Sequence, residues 1–198
     1  YSSSKACAEH ISSAYYRSFF KPKAIGLATA RAGNVIGGGD WSIDRLIPDA
    51  IKNWSKSEKL IIRFPQAVRP WQYILEPLAG YIMLAQKLME NPIKFSEAWN
   101  FGPDKKNIKT VNDTLEMAAS IWGGKVNWEK TNESILHEAK LLQLCSDKAK
   151  QRLGWNSRLD FKKSVTKTIE WYKKYYQGSI SMKKFTISQI EEFESTSN

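Results

Sequence analysis

The sequence predicts an α/β protein, and three observations carry that expectation. Short, mostly apolar runs alternate with longer stretches whose apolar residues recur at helical spacing. Glycine and proline mark most of the changes between them. The 198 residues, 42% hydrophobic and 25% charged, suffice for one domain with a core or for two small ones.

Residues 2–19 read as a helix, with Ala6, Ile11, Ala14, Tyr15 and Phe19 on its apolar side and Pro22 ending it. The run 24–31 reads as a buried strand and 33–41 as a glycine-rich loop. A helix is expected from Ile43 to about Ser55, with Pro48 as a candidate break, and a strand over 60–64. Pro65 and Pro70 bracket a connecting loop. From Pro77 to Glu90, Leu78, Tyr81, Ile82, Ala85, Leu88 and Met89 form a helical stripe, with Pro77 suited to the first turn. Residues 98–101 make a short strand. Thr110 can cap a helix running to Trp122, Ser146 one over 147–153, and Asp160 a longer one bearing Phe161, Val165, Ile169, Tyr172 and Tyr176. Gly123-Gly124 and Gly154 are their stops, and the tail from Glu194 is expected to fray. These strands are fewer than a doubly wound sheet needs, and no G-x-G-x-x-G turn for a dinucleotide pyrophosphate is present. Gly37-Gly38-Gly39 does not replace it.

Composition narrows the function classes. No apolar run approaches the roughly 20 residues that span a bilayer, and Tyr1-Ser2-Ser3-Ser4-Lys5 lacks a secretory signal's basic-then-apolar pattern. Cys7 and Cys145 lie far apart, which reads as two reduced thiols in a cytoplasmic protein. Neither His10 nor His137 belongs to a zinc-ligand motif, so no metal is expected. The net charge of +10 is compatible with an anionic partner, nucleic acid or a phosphorylated small molecule. The lysines of the C-terminal third, however, alternate with aromatics on helix faces, which favours solvated faces over a nucleic-acid stripe. A third reading is a portion of a longer protein whose acidic complement lies elsewhere.

Tyr1 and Lys5 are spaced to share one helix face. An ammonium group beside a phenol favours the phenolate, which can then take a proton from a hydroxyl at neutral pH. Alone, the spacing is a weak signal, and a surface tyrosine beside a surface lysine is the better reading of it.

An ordered series of motifs follows it. Arg31-Ala32-Gly33-Asn34-Val35-Ile36-Gly37 comes after the strand; then come Leu46-Ile47-Pro48, Arg69-Pro70-Trp71-Gln72-Tyr73-Ile74-Leu75-Glu76, Asn100-Phe101-Gly102, and Lys148-Ala149-Lys150-Gln151-Arg152-Leu153-Gly154-Trp155. Over almost the whole chain this series resembles the extended short-chain dehydrogenase/reductase family. The resemblance implies the C-terminal part of an NAD-binding, Rossmann-like doubly wound sheet plus a smaller mixed α/β substrate-binding domain. Residues 1–35 and 71–103 would belong to the first, 36–70 and 104–198 to the second. Within the family, Gly37-Gly38-Gly39-Asp40-Trp41 after Asn34-Val35-Ile36, the stretch Ile62-Arg63-Phe64-Pro65-Gln66-Ala67-Val68-Arg69, and His137-Glu138-Ala139 resemble the branch acting on CDP-glucose.

That resemblance assigns roles. Tyr1 is the catalytic base and Lys5 its partner, both also touching NAD; Ala32 and Val35 lie by the nicotinamide. Asn34, Arg63, Arg69 and His137 contact a CDP-sugar, Arg69 through the diphosphate. The implied reaction dehydrates the sugar across C5–C6, in bacterial deoxysugar synthesis for surface polysaccharide, with the elimination acid and base upstream of Tyr1. By itself the chain is then expected to be inactive, and the whole enzyme to be a homodimer joined through the helix after Tyr1. Each residue has a plainer role available: Arg63 and Arg69 as surface charges, Asn34 as a left-handed turn residue, His137 as a structural hydrogen-bonder, and Asp40 and Asp44 as loop or capping residues. Trp41, Trp71, Trp99, Trp122, Trp128 and Trp155 read as core. Another sugar-nucleotide dehydratase or epimerase, or a non-catalytic nucleotide-sugar or nucleic-acid binding module, are the other readings.

Overall fold

The computed structural model describes residues 2–124, 126–131, 141–178 and 180–196. The chain opens with α1 (Ser2–Tyr15), a π-helical turn (Tyr16–Phe20) and a 3-10 turn (Lys21–Lys23), followed by β1 (Thr29–Ala32), β2 (Asn34–Ile36), α2 (Leu46–Ser55) and β3 (Leu60–Ile62). Next come β4 (Val68–Arg69), β5 (Trp71–Tyr73), α3 (Leu75–Glu90), α4 (Pro92–Phe95) and β6 (Ala98–Phe101). The remainder holds β7 (Lys109–Thr110), α5 (Val111–Trp122), β8 (Trp128–Lys130), α6 (Asp147–Leu153), α7 (Phe161–Gln177) and α8 (Met182–Ser195). Two compact units result. The first gathers the chain up to Ala32 with Glu76–Gly102 and Leu144–Asn156; the second gathers Gly33–Leu75, Pro103–Gln143 and Ser157–Asn198.

In the first unit β1 and β6 pair in parallel, from Thr29 opposite Ala98 to Ala32 opposite Phe101. Expected from residue 24, the ladder begins only at Thr29. Ala24 is left-handed (φ 54°), and the Leu27 amide donates to Ser96 Oγ at 2.8 Å rather than to a strand. Leu84, Phe95, Trp99, Phe101, Leu153 and Trp155 form the core. The segment expected as a simple capped helix is its bolt. Lys148 Nζ and Arg152 Nη1 both donate to Glu97, at 2.9 and 2.8 Å, and Trp155 Nε1 donates to the Glu76 carbonyl at 3.0 Å. Ser146 does not cap α6 with its side chain; its hydroxyl accepts from the Gly102 amide (2.8 Å) and donates to the Gly102 carbonyl (3.1 Å). By contrast α1 buries none of its described residues: Ile11 is 59% and Tyr15 53% exposed.

The second unit contains strands that the sequence hid. β2 and β5 pair in parallel, Asn34 opposite Trp71 and Ile36 opposite Tyr73, so the stretch read as a loop from residue 33 begins with a strand. β3 pairs with β8 in parallel, and β4 with β7 antiparallel, Arg69 facing Lys109. Pro48 does not break α2. It sits in the first turn, where a backbone N–H has no intrahelical partner to lose. Ile47, Ile51 and Trp54 of α2, Leu115 of α5, and Val165, Ile169 and Tyr172 of α7 pack with Ile36, Leu60 and Trp71 in the core. Thr110 caps α5 as expected, in a reciprocal box with Asp113 at 3.0 and 3.1 Å, and Asp160 caps α7 by accepting from the Lys163 amide at 2.8 Å. α8 runs to Ser195, past the expected fraying point. Two buried bonds hold it: Tyr73 Oη donates to Gln189 Oε1 (3.1 Å), and Gln189 Nε2 donates to the Lys167 carbonyl (2.9 Å).

Candidate functional site

The second unit brings two of the sequence-selected residues into one small region. β2 lies directly against the Pro70–β5 segment, and the Asn34 amide donates to the Pro70 carbonyl at 3.1 Å. Arg69 is the residue before that proline. Asn34 is therefore a strand residue rather than a left-handed turn; among described residues other than glycine, positive φ occurs at Ala24, Asp44 and Ser57. Nor is Arg69 a surface charge. It is 7% exposed, and its Nη1 donates to the Val68 carbonyl at 2.9 Å. A buried guanidinium must have its donors satisfied, which makes it a fixed fork rather than a mobile charge. Arg63 differs. It follows β3 in the same unit, and its contact with Asp44, at 3.9 Å between side chains 58% and 81% exposed, is a weak surface pair. Val35 sits on β2 opposite Gln72, half-buried.

Lys5 and Ala32 belong to the first unit. Ala32 ends β1 opposite Phe101, which ends β6, so the two strands finish together at their carboxyl ends. That edge is where parallel α/β sheets bind ligands. Lys5 is exposed on α1. Tyr1 and His137 lie outside the described residues. A separate cavity of about 330 Å³ in the first unit is lined by Glu9, His10, Tyr16, Thr29, Ser96 and Glu97, none of them among the selected residues. Its two carboxylates are engaged, Glu9 by the Thr29 hydroxyl at 2.8 Å and Glu97 by Lys148 and Arg152. No three His, Cys, Asp or Glu side chains among the described residues gather as a metal site.

The sequence reading missed what holds the glycine loop after β2. An ideal Cβ on Gly38 would stand 2.0 Å from Trp171 Cγ, so only glycine permits this approach to α7. Tyr172 Oη donates to the Asp40 carbonyl at 2.6 Å, and Asp40 Oδ1 accepts from the Ser42 amide at 2.9 Å. Burial, and then the nearby Asp40 charge, push the Tyr172 phenol well above its ordinary pKa, so it stays a donor. The Trp41 ring packs edge-on against Tyr172 at 5.2 Å and tilted against Tyr175 at 5.0 Å. Trp41, expected in the core, is thus on a half-exposed aromatic ledge, whereas Trp71, Trp99 and Trp155 are buried. In the sequence the three successive glycines read only as backbone freedom in a loop; the ring that Gly38 approaches lies too far along the chain for a local pattern to name.

Comparison with known proteins connects these features. Over 90% of its length the chain is 44% identical to CDP-glucose 4,6-dehydratase of Salmonella typhimurium, and over 87% it is 26% identical to dTDP-glucose 4,6-dehydratase of Haemophilus influenzae. The chain is related to the sugar-nucleotide 4,6-dehydratases. This is the kinship that the motif series indicated. The chain spans about half the length of the curated relatives it matches, 51% of each of these two. No family model matches it. Among solved structures, dTDP-glucose 4,6-dehydratase of Bacillus anthracis in complex with NAD superposes with a TM-score of 0.70 at 22% identity, covering 88% of this chain and 52% of that one. UDP-glucuronic acid 4-epimerase of Bacillus cereus gives 0.71 at 20% identity, covering 85% and 50%. At such identities the likeness establishes the fold, which these dehydratases and epimerases share.

Proposed function

We propose that this chain serves an NAD-dependent CDP-glucose 4,6-dehydratase, a lyase converting CDP-D-glucose to CDP-4-keto-6-deoxy-D-glucose and water. The observation that carries the reading is the difference in identity: 44% to the relative acting on CDP-glucose against 26% to one acting on dTDP-glucose. In this reading residues 1–35 and 71–103 serve chiefly the cofactor, with Asn34 reaching the substrate, and 36–70 with 104–198 serve the nucleotide sugar. Bound NAD would supply a hydride acceptor for sugar C4 and return the hydride at C6. Tyr1 takes the C4 hydroxyl proton, with Lys5 favouring its phenolate and reaching the cofactor ribose. Ala32 and Val35 present backbone to the nicotinamide side. Asn34 and Arg69 hold the substrate diphosphate, the guanidinium with parallel charge-assisted hydrogen bonds, while Arg63 and His137 complete the nucleotide contacts. The exposed Ile11 and Tyr15 of α1 support a homodimer formed through that helix, in a cytoplasmic enzyme of surface-polysaccharide synthesis.

Calorimetric titration of the 198-residue chain with CDP, and then with dTDP, tests the reading. CDP is expected to bind and dTDP to bind more weakly. Arg69→Ala should lose about tenfold to hundredfold in CDP affinity, the loss of charge-assisted bonds worth roughly 1.5–3 kcal/mol, and Arg69→Lys somewhat less. Incubated with CDP-glucose and NAD, the chain alone should give no 4-keto product, because it carries no G-x-G-x-x-G cradle for the cofactor pyrophosphate. Equal affinity for CDP and dTDP would remove the nucleotide assignment, and an unchanged Arg69→Ala would remove Arg69 from the site.

A further inference from the structure

Asn34 stands at the start of β2, and the loop Gly37–Trp41 follows that strand without a break. Several contacts hold this loop, all within the second unit. Gly38 lies against Trp171, closer than any side chain permits. The buried Tyr172 hydroxyl donates to the Asp40 carbonyl at 2.6 Å. Lys52 Nζ donates to the Trp41 carbonyl at 2.6 Å, while the Trp41 ring rests on Tyr172 and Tyr175. A loop with three glycines has high conformational entropy when loose, and ordering it at the moment of ligand binding lowers affinity. Here α7 orders it beforehand. Trp171 is itself fixed, stacked on Tyr175 with ring planes 9° apart and donating from Nε1 to Thr186 Oγ1 at 2.8 Å.

We infer that Trp171 and Tyr172 of α7 are positioning residues that lock the Gly37–Trp41 loop, and with it the Asn34 end of β2, in the conformation that receives the substrate nucleotide. The inference rests on the proposed CDP-sugar site but not on the identity of its base. Neither side chain needs to touch the ligand. The lock works by spending conformational entropy at folding rather than at binding.

The test uses the 198-residue chain and its Tyr172→Phe variant, which keeps the ring and deletes only the hydroxyl. Two readouts are taken: CDP affinity by calorimetry, and backbone hydrogen exchange across residues 34–42. Tyr172→Phe should bind CDP about three- to tenfold more weakly, the size of one net hydrogen bond, with faster exchange confined to 37–42. Tyr175→Phe, which keeps its stacking ring, should leave both readouts unchanged. Gly38→Ala should weaken CDP binding by about tenfold to hundredfold, as the Cβ drives the loop off Trp171. A uniform rise in exchange throughout the unit would mean that Tyr172 serves stability alone and would overturn the inference. So would a Tyr172→Phe variant with parental CDP affinity and parental exchange. If the parent chain itself fails to bind CDP, the functional reading is what falls. The lock is then judged by exchange alone, and unchanged exchange at 37–42 in Tyr172→Phe overturns it.

Discussion

In the first unit Gly80, on α3, faces Phe101 of β6; in the second Gly38, in the loop after β2, faces Trp171 of α7. Neither approach leaves room for a Cβ: an ideal one would stand 2.3 Å from Phe101 Cδ1 on Gly80 and 2.0 Å from Trp171 Cγ on Gly38. Their settings differ. Phe101 is 0% exposed and wedged edge-on between Tyr81 at 5.4 Å and Trp155 at 5.3 Å, so Gly80 lets a helix settle onto a ring that nothing else can move. Trp171 is only partly buried, and Gly38 belongs to no regular element. The same device serves packing in one unit and loop order in the other. Substitutions in the first should therefore register in stability, and those at Gly38 in ligand affinity.

The largest loss is expected at Trp155. Its indole fills the first unit's core and its Nε1 donates to the Glu76 carbonyl, so Trp155→Ala leaves a cavity and removes a buried hydrogen bond. A loss of about 3–5 kcal/mol in urea denaturation is expected. A loss below about 1 kcal/mol would mean that the Leu144–Asn156 segment is not a structural bolt. Gly80→Ala comes next. A methyl forced against a ring without freedom should cost about 1–3 kcal/mol while leaving CDP affinity of the folded chain unchanged. If Gly80→Ala instead weakened CDP binding as much as Gly38→Ala does, the two close approaches would not be distinct in role.

How far the sequence could be read follows from the range of the forces involved. Thr110 and Asp160 were legible as caps because a cap is satisfied within three residues of itself, and the structure shows both bonds. Ser146 carries the same local signal, yet its hydroxyl goes to Gly102, 44 residues away, a choice that only tertiary packing makes. β2 was hidden because three strand residues between glycines have no periodicity to detect, and β5 because Pro70 precedes it. α8 had a cap at Ser181 and apolar residues at Phe185, Ile190 and Phe193, signals that were present but unread. At the candidate site, the motif pointed to Asn34 and Arg69, and their shared attachment to Pro70 is a finding of the structure. The bond from Tyr172 to Asp40 spans 132 residues, beyond any pattern in a single sequence.

Thr110→Ala examines the second unit's stability without touching the glycine loop. The capping box satisfies two backbone groups at the start of α5, whose Leu115 and Ala118 lie in the core. Its loss should cost about 1 kcal/mol by urea denaturation, with parental CDP affinity. A large loss of CDP affinity in this variant would show that stability and site order are not separable in this unit.

The smallest expected effect concerns acid stability in the first unit. Glu97 receives Lys148 Nζ at 2.9 Å and Arg152 Nη1 at 2.8 Å, and these bonds, Lys148 first, hold its carboxyl below the ordinary value of 4.5. A carboxylate depressed in the folded state binds its proton more weakly there than in the unfolded chain. Its contribution is therefore complete above the unfolded value and is lost as pH falls through the folded one. With the Glu97 side chain 38% exposed, solvent screens the pairs, and together they should contribute about 1 kcal/mol or less. Melting curves of the parent and of Glu97→Gln would be collected from neutral pH to about pH 3. The parent should be the more stable at neutral pH, and its advantage should shrink once the pH drops below about 4.5 and the carboxylate begins to protonate. Parallel curves across that window would show that the Glu97 cluster does not bear on the first unit's stability, leaving its aromatic core to hold the Leu144–Asn156 segment unaided.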